Sequence, residues 1–306
     1  MAKSVKKNLL FNLVNTISGL LFPLITFPYA TRVMMADGIG QVNFFTSIIS
    51  YITLLSSLGI PMYAVREIAR VRDKQKQMNI VALEILLLHV FLSFIGYAIV
   101  AVLCLTVAEI QVNIPLFLIL STSILFTTIG VEWFYQGIED FQYIMIRNLI
   151  VKIIYVILLF SLVKTKEDLL IYGLLTILGT VGNNVFNFFR LRNYLYLDLS
   201  IIRSLRPLVH FIPALRIFIL NLIISIYVNL NTVMLGFMKD VTSVGYFTAA
   251  SKLSHILLGI TTALQGVMLP RLSNLIQSNK YVEFKTLSQK VVDFIFTANM
   301  PLTVGL

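Results

Sequence analysis

Charge is scarce in this chain, and so is cysteine. Only 12% of its 306 residues are Asp, Glu, Lys or Arg, about half the share of an ordinary soluble domain. With 58% of the residues hydrophobic, a soluble globule could not hide its apolar surface, so the solvent is lipid. Cys104 is the only cysteine, which excludes an intrachain disulfide. The three histidines, His89, His210 and His255, form no metal-ligand spacing. A phosphate-binding glycine loop is also missing. No metal, cofactor or nucleotide-driven motor is therefore expected. Acids are fewer than bases, 14 against 24, for a net charge of +10. In a soluble protein that would point to nucleic acid. Here it fits cytoplasmic loops and anionic lipid headgroups instead.

What the chain has in abundance is long apolar runs. Candidate spans fall at 8–34, 41–60, 80–108, 114–136, 144–163, 169–189, 211–238 and 244–268, with a ninth from about Val291. Each has roughly the 20 residues that cross about 30 Å of hydrocarbon. The first follows Lys3, Lys6 and Lys7 and is too long for a signal-peptide core, so it reads as an uncleaved helix. The organising turn is Glu132-Trp133-Phe134-Tyr135-Gln136-Gly137-Ile138-Glu139-Asp140. Its aromatic residues suit a membrane interface, and its charges cannot lie in hydrocarbon.

Bases cluster at 3–7, 66–76, 147, 190–206 and 271–290, whereas Arg32, Lys164, Lys166 and Lys239 alone mark the opposite ends. The positive-inside rule then puts the N-terminus in the cytoplasm.

A repeat is expected as well. Gly40-Gln41-Val42-Asn43-Phe44 opens the second span, and Gly245-Tyr246-Phe247-Thr248 opens the eighth, 205 residues later. Arg66 and Arg271 stand at the same separation. The reading is an all-α polytopic membrane helix bundle of two pseudo-repeated six-helix halves, residues 1–207 and 208–306. The second half is expected to be incomplete, cut within the ninth helix, because doubling would give about twelve helices.

Pro28-Tyr29-Ala30-Thr31-Arg32-Val33, Gly38-Ile39-Gly40, Gly59, Arg66-Glu67-Ile68-Ala69-Arg70, the Glu132–Gly137 string and Arg147-Asn148 together resemble the O-antigen/polysaccharide flippase (Wzx-type) family. That family belongs to the multidrug/oligosaccharidyl-lipid/polysaccharide exporter superfamily. The resemblance implies a non-enzymatic transporter of the bacterial inner membrane. It would move an undecaprenyl-diphosphate-linked oligosaccharide across the bilayer by alternating access. Membrane lipids, a polysaccharide polymerase and other assembly proteins would be its partners.

A diphosphate needs fixed cations, and cations inside a span require a reason. Arg32, Lys152, Arg216 and Lys252, with His255 three residues beyond Lys252, are the candidate cationic cavity. Snorkelling to the headgroups remains open for Lys152 and Arg216, and an interhelical partner remains open for Lys252. Arg66 and Arg147 would stand at the cytoplasmic entrance. Glu132 reads as a salt bridge to Arg147, and His89 as satisfied by a neighbouring helix, with proton coupling as the other role for these two. Asn8, Asn12 and Asn15 recur on roughly one face of the first span, either as glue between helices or as a sugar-facing surface. Pro23 and Pro28 could bend that helix. Two other functions stay in view: a cation-coupled multidrug exporter, and a scaffold for glycan-assembly enzymes. The exporter branch uses a carboxylate in its first helix, and residues 8–34 contain neither Asp nor Glu.

Overall fold

The computed structural model describes residues 5–196, 205–254 and 280–305, with isolated positions 268, 272, 275 and 276 between them. The molecule is an all-α polytopic helix bundle. Its helices are α1 (Val5–Ser57), α2 (Ile60–Val71), α3 (Gln75–Thr106), α4 (Ala108–Gln111), α5 (Ile114–Gly130), α6 (Glu132–Gly137), α7 (Phe141–Leu162), α8 (Leu169–Val181), α9 (Asn183–Leu191), α10 (Phe211–Met238), α11 (241–254) and α12 (Tyr281–Gly305). Short 3₁₀ turns at Lys166–Asp168 and Pro207–His210 lead into α8 and α10. Among the described residues, five helices are long and apolar enough to cross a membrane, or six with the bent α8–α9 pair taken as one span. The protein is a multi-pass membrane protein.

The first of those candidates runs Ile17–Val71, far longer than one crossing needs. It is divided at Met35, whose φ of 57° and ψ of −174° are not helical. This backbone conformation is costly for a residue with a Cβ, on the order of 1–3 kcal/mol, so the surrounding packing must hold it. The break lies in the gap between the expected first and second spans. The limb 36–57 is about 33 Å long at 1.5 Å per residue, one membrane crossing. A second break follows at Leu58 and Gly59, with φ of 46° and 73°. At Gly59 a Cβ would also lie 2.6 Å from the Ala214 carbonyl oxygen, so glycine is required for both conformation and space.

Local signals fix several helix starts. The Asn113 side chain accepts from the Leu116 N–H at 3.2 Å and caps α5. Asp168 accepts from the Thr165 N–H at 2.8 Å in a capping box before α8. Asp240 accepts from the Ser243 N–H at 2.7 Å and caps α11; that bond holds its carboxyl below the usual carboxylate range. The expected span 169–189 is one apolar run in sequence but two helices in space, bent by 50° at Gly182.

Two apolar clusters divide the bundle. One, at the Met35 end, packs Phe27, Met34, Phe44, Phe45, Phe117 and Tyr172. The other packs Ile60, Ile68, Leu88, Trp133, Phe134 and Tyr135 around α2 and α6. Large apolar side chains such as Phe94, Leu105 and Tyr227 are exposed, as expected where hydrocarbon is the solvent. The helix Tyr281–Gly305 begins ahead of the expected ninth span.

Candidate functional site

Arg147, on the second turn of α7, is the charged hub of the α2–α6 end. Its side chain is only 2% exposed and lies 3.2 Å from Glu132. A buried guanidinium is tolerated only when its charge and its donors are matched, and here they are. Arg147 donates to the Asn187 side-chain oxygen and, through Nε and Nη2, to Asn148 Oδ1 at 3.2 and 3.0 Å. Asn148 donates on to Asn15 at 3.0 Å and accepts from Asn183 at 2.7 Å. Asn187 donates to the Gly130 carbonyl at 2.6 Å, while its own carbonyl accepts from Tyr135 at 2.8 Å. Four membrane segments are thereby tied to one arginine.

Two further polar clusters flank the hub. Arg190 pairs with Asp140 at 2.8 Å and lies 3.8 Å from the centre of the Tyr143 ring, a cation–π distance. Tyr63 meets His210 Nδ1 at 2.7 Å, and His210 Nε2 meets Glu84 at 2.9 Å. This chain of three side chains docks the start of α10 onto α2 and α3. A cavity of about 730 Å³ lies beside the hub, and Arg66, His89, Glu132, Trp133 and Asn184 are among its walls.

At the Met35 end the contacts are between main chains. A Cβ at Gly40 would collide with the Val241 carbonyl, and a Cβ at Gly245 would collide with the Ala36 carbonyl. Asp37 accepts a hydrogen bond from Thr242, 205 residues away. The contact is reciprocal: Gly40 meets Val241 and Gly245 meets Ala36, and the 205-residue separation makes Val241 the counterpart of Ala36 and Gly245 the counterpart of Gly40.

Comparison with known proteins decides the family. A model of the polysaccharide biosynthesis protein family matches residues 5–276, which is most of the chain and includes the hub, the cavity and the Met35 end. The chain belongs to that family. Among its relatives, two proteins named as O-antigen transporters match. One, from Shigella dysenteriae, is 27% identical over 89% of this chain and 68% of its own length. The other, from Escherichia coli K12, is 23% identical over 90% of this chain and 67% of its own length. No solved structure matches.

Within this polysaccharide-family bundle the residues singled out from sequence fall into three places. Arg66, His89 and Glu132 share the cavity wall, with Arg66 at 64% exposure and paired to Glu67 at 3.3 Å. Arg147 lies beside it, buried in the hub. Lys152 and Lys252 both rest on α1: Lys152 donates to Ser18 at 2.9 Å, and the Lys252 ammonium sits 4.4 Å from the centre of the Phe27 ring. Arg32 and Arg216 are exposed, and the structure brings neither to the two lysines by any hydrogen bond or ion pair among the described residues. His255 and Arg271 lie outside the described residues.

Asn183 and Asn187 are not among the candidates drawn from sequence, and neither is the His210–Glu84 pair. A signal existed for the first two. Asn183, Asn184 and Asn187 interrupt an otherwise apolar span, and amides in hydrocarbon need partners. For Glu84 and His210, 126 residues apart, no local pattern could have joined them.

Proposed function

We propose that this chain moves a polysaccharide precursor carried on a lipid diphosphate across the bacterial inner membrane. The observation that carries the reading is the pair of lysines on α1. Lys152 from α7 and Lys252 from α11 lie inside apolar spans, yet no described carboxylate forms an ion pair with either. Cations kept in hydrocarbon without a counter-charge suit a ligand that brings its own negative charge, and a diphosphate does. The names of the two relatives point the same way.

Orientation follows the positive-inside pattern. The N-terminus and the α2–α6 end face the cytoplasm, and the Met35 end faces the periplasm. The reciprocal Gly40–Gly245 contact supports two halves related by a repeat, meeting at the periplasmic end. Alternating access then requires that contact to part while the cytoplasmic end closes. Chemistry is not needed; the transporter supplies a path for the headgroup while the lipid tail stays in the bilayer.

The deciding experiment is complementation of a flippase-deleted bacterium whose glycan matches, scoring surface polysaccharide and accumulated lipid-linked intermediate. The 306-residue chain and a form extended to about twelve helices are compared. Rescue that is lost on Lys252→Ala or Lys152→Ala is the expected result. Rescue indifferent to both lysines would remove the diphosphate reading and favour a scaffold. Proton-driven export of organic cations would favour a multidrug exporter.

A further inference from the structure

The cavity beside Arg147 has a composition that the hub does not explain. Its volume of about 730 Å³ falls within the roughly 300–1,000 Å³ usual for small-molecule sites. Two of its wall residues are buried polar side chains: His89 is 1% exposed and Trp133 is 3% exposed. Both ring nitrogens of His89 and the indole nitrogen of Trp133 have no hydrogen-bond partner among the described residues. Buried polar groups are normally satisfied, and each exception calls for an account. One neighbourhood holds three such atoms.

The lining says what kind of ligand would satisfy them. A neutral imidazole offers one donor and one acceptor, and an indole offers one donor. These nitrogens are closed off as the rings stand, so a turn of the rings toward the cavity accompanies binding. A hydroxyl both gives and takes a hydrogen bond, so vicinal hydroxyls then meet all three. Thr127, Gln136, Thr180 and Asn184 add further hydroxyl and amide groups to the wall. At the buried wall the charge is already matched, since Glu132 lies 3.2 Å from Arg147; Arg66, which shares Glu67 with Arg70, stands at the exposed rim. A charged ligand would find no free counter-ion beside His89 and Trp133. Pro61, Met62, Val65 and Val181 complete the wall with apolar surface, suited together with the indole to the C–H face of a sugar ring.

We infer that this cavity is a subsite for one uncharged, hydroxyl-bearing sugar residue, held by His89 and Trp133. It is lined by residues between 61 and 184, apart from the two lysines that rest on α1. It deepens the transport reading and rests on it only for the source of the sugar, the glycan end of the lipid-linked substrate. The diphosphate and the sugar would then be read by different parts of the molecule.

The test needs no transport. Trp133 is the only tryptophan in the chain, so emission excited at the red edge, where the 13 tyrosines do not absorb, reports this cavity alone. The 306-residue chain in detergent micelles is titrated with free galactose, mannose and N-acetylglucosamine, and with glucuronic acid as a charged control. The expected result is a saturable change in Trp133 emission with at least one neutral sugar, stronger than with glucuronic acid. His89→Leu should weaken it by about tenfold, the size of one hydrogen bond to a buried group, and His89→Gln should restore part of it. Thr127→Val serves in the same role should His89→Leu not fold. No saturable change with any neutral sugar would overturn the inference, as would a change unaffected by His89→Leu and Thr127→Val or a preference for glucuronic acid. Sugar binding without complementation would strike the transport reading and leave the subsite standing. Complementation without sugar binding would do the reverse.

Discussion

The two ends of this bundle are held shut by different means. At the Met35 end, main chain lies on main chain at Gly40 and Gly245, and the surrounding core is aromatic and aliphatic. At the α2–α6 end, helices are joined through buried side-chain amides, one arginine and a Tyr–His–Glu chain, with a cavity left among them. Backbone contact depends on the absence of side chains, so it has no tolerance for added atoms. A hydrogen-bonded network depends on every member being present, so it has no tolerance for lost ones. Addition should therefore damage one end, and deletion the other.

The largest effect should come from Gly40→Leu or Gly245→Leu. Either side chain must drive the two main chains apart, and transport in the complementation assay should be abolished. Crosslinking between cysteines placed at 37 and 242 should be lost with it, and retained crosslinking would show that the contact is not close in the working protein. Next is Arg147→Met, which strands Glu132, Asn148 and Asn187. Glu132 is 35% exposed, so the cost falls below the ~3–5 kcal/mol of breaking a fully buried pair, and it is read as a fall in the unfolding midpoint in detergent. Arg147→Lys should recover little, because one ammonium cannot reach both Asn148 and Asn187 while holding Glu132. Smaller again is Tyr63→Phe, which removes one hydrogen bond to His210, worth about 1 kcal/mol. The smallest is Arg72→Ala. Its pair with Glu139 at 2.6 Å is exposed on both sides, and exposed pairs contribute little. The unfolding midpoint should not move, and a clear drop would mean that the turn after α2 matters more than its exposure implies.

Much of the fold could be read from hydrophobic runs, since lipid imposes length and polarity on every span. The seventh expected span, 211–238, coincides with α10, and the fifth, 144–163, with α7 to within three residues at its start and one at its end. The Met35 break falls where the run of apolar residues meets Ala36-Asp37-Gly38. The bend at Gly182 was hidden, because bending leaves hydropathy unchanged. Within the site, the acid and base flanking one turn announced the Glu132–Arg147 pair. Asn187 as the second partner of Arg147 did not announce itself, since it arrives from 40 residues further on. The unpartnered state of His89 is the opposite case. Sequence favours a satisfied histidine, and only the positions of the neighbouring helices reveal that no side chain among the described residues reaches it.

The bond between Asp37 and Thr242 joins residues that are each other's counterparts across the 205-residue separation. Such a pair has a particular genetic property. Asp37→Thr alone sets two hydroxyls face to face, and Thr242→Asp alone sets two carboxylates together. Both changes at once rebuild the same bond with its direction reversed. A defect at either position therefore has a suppressor waiting at the other. Selection for revertants of Thr242→Asp should return changes at codon 37 before changes elsewhere.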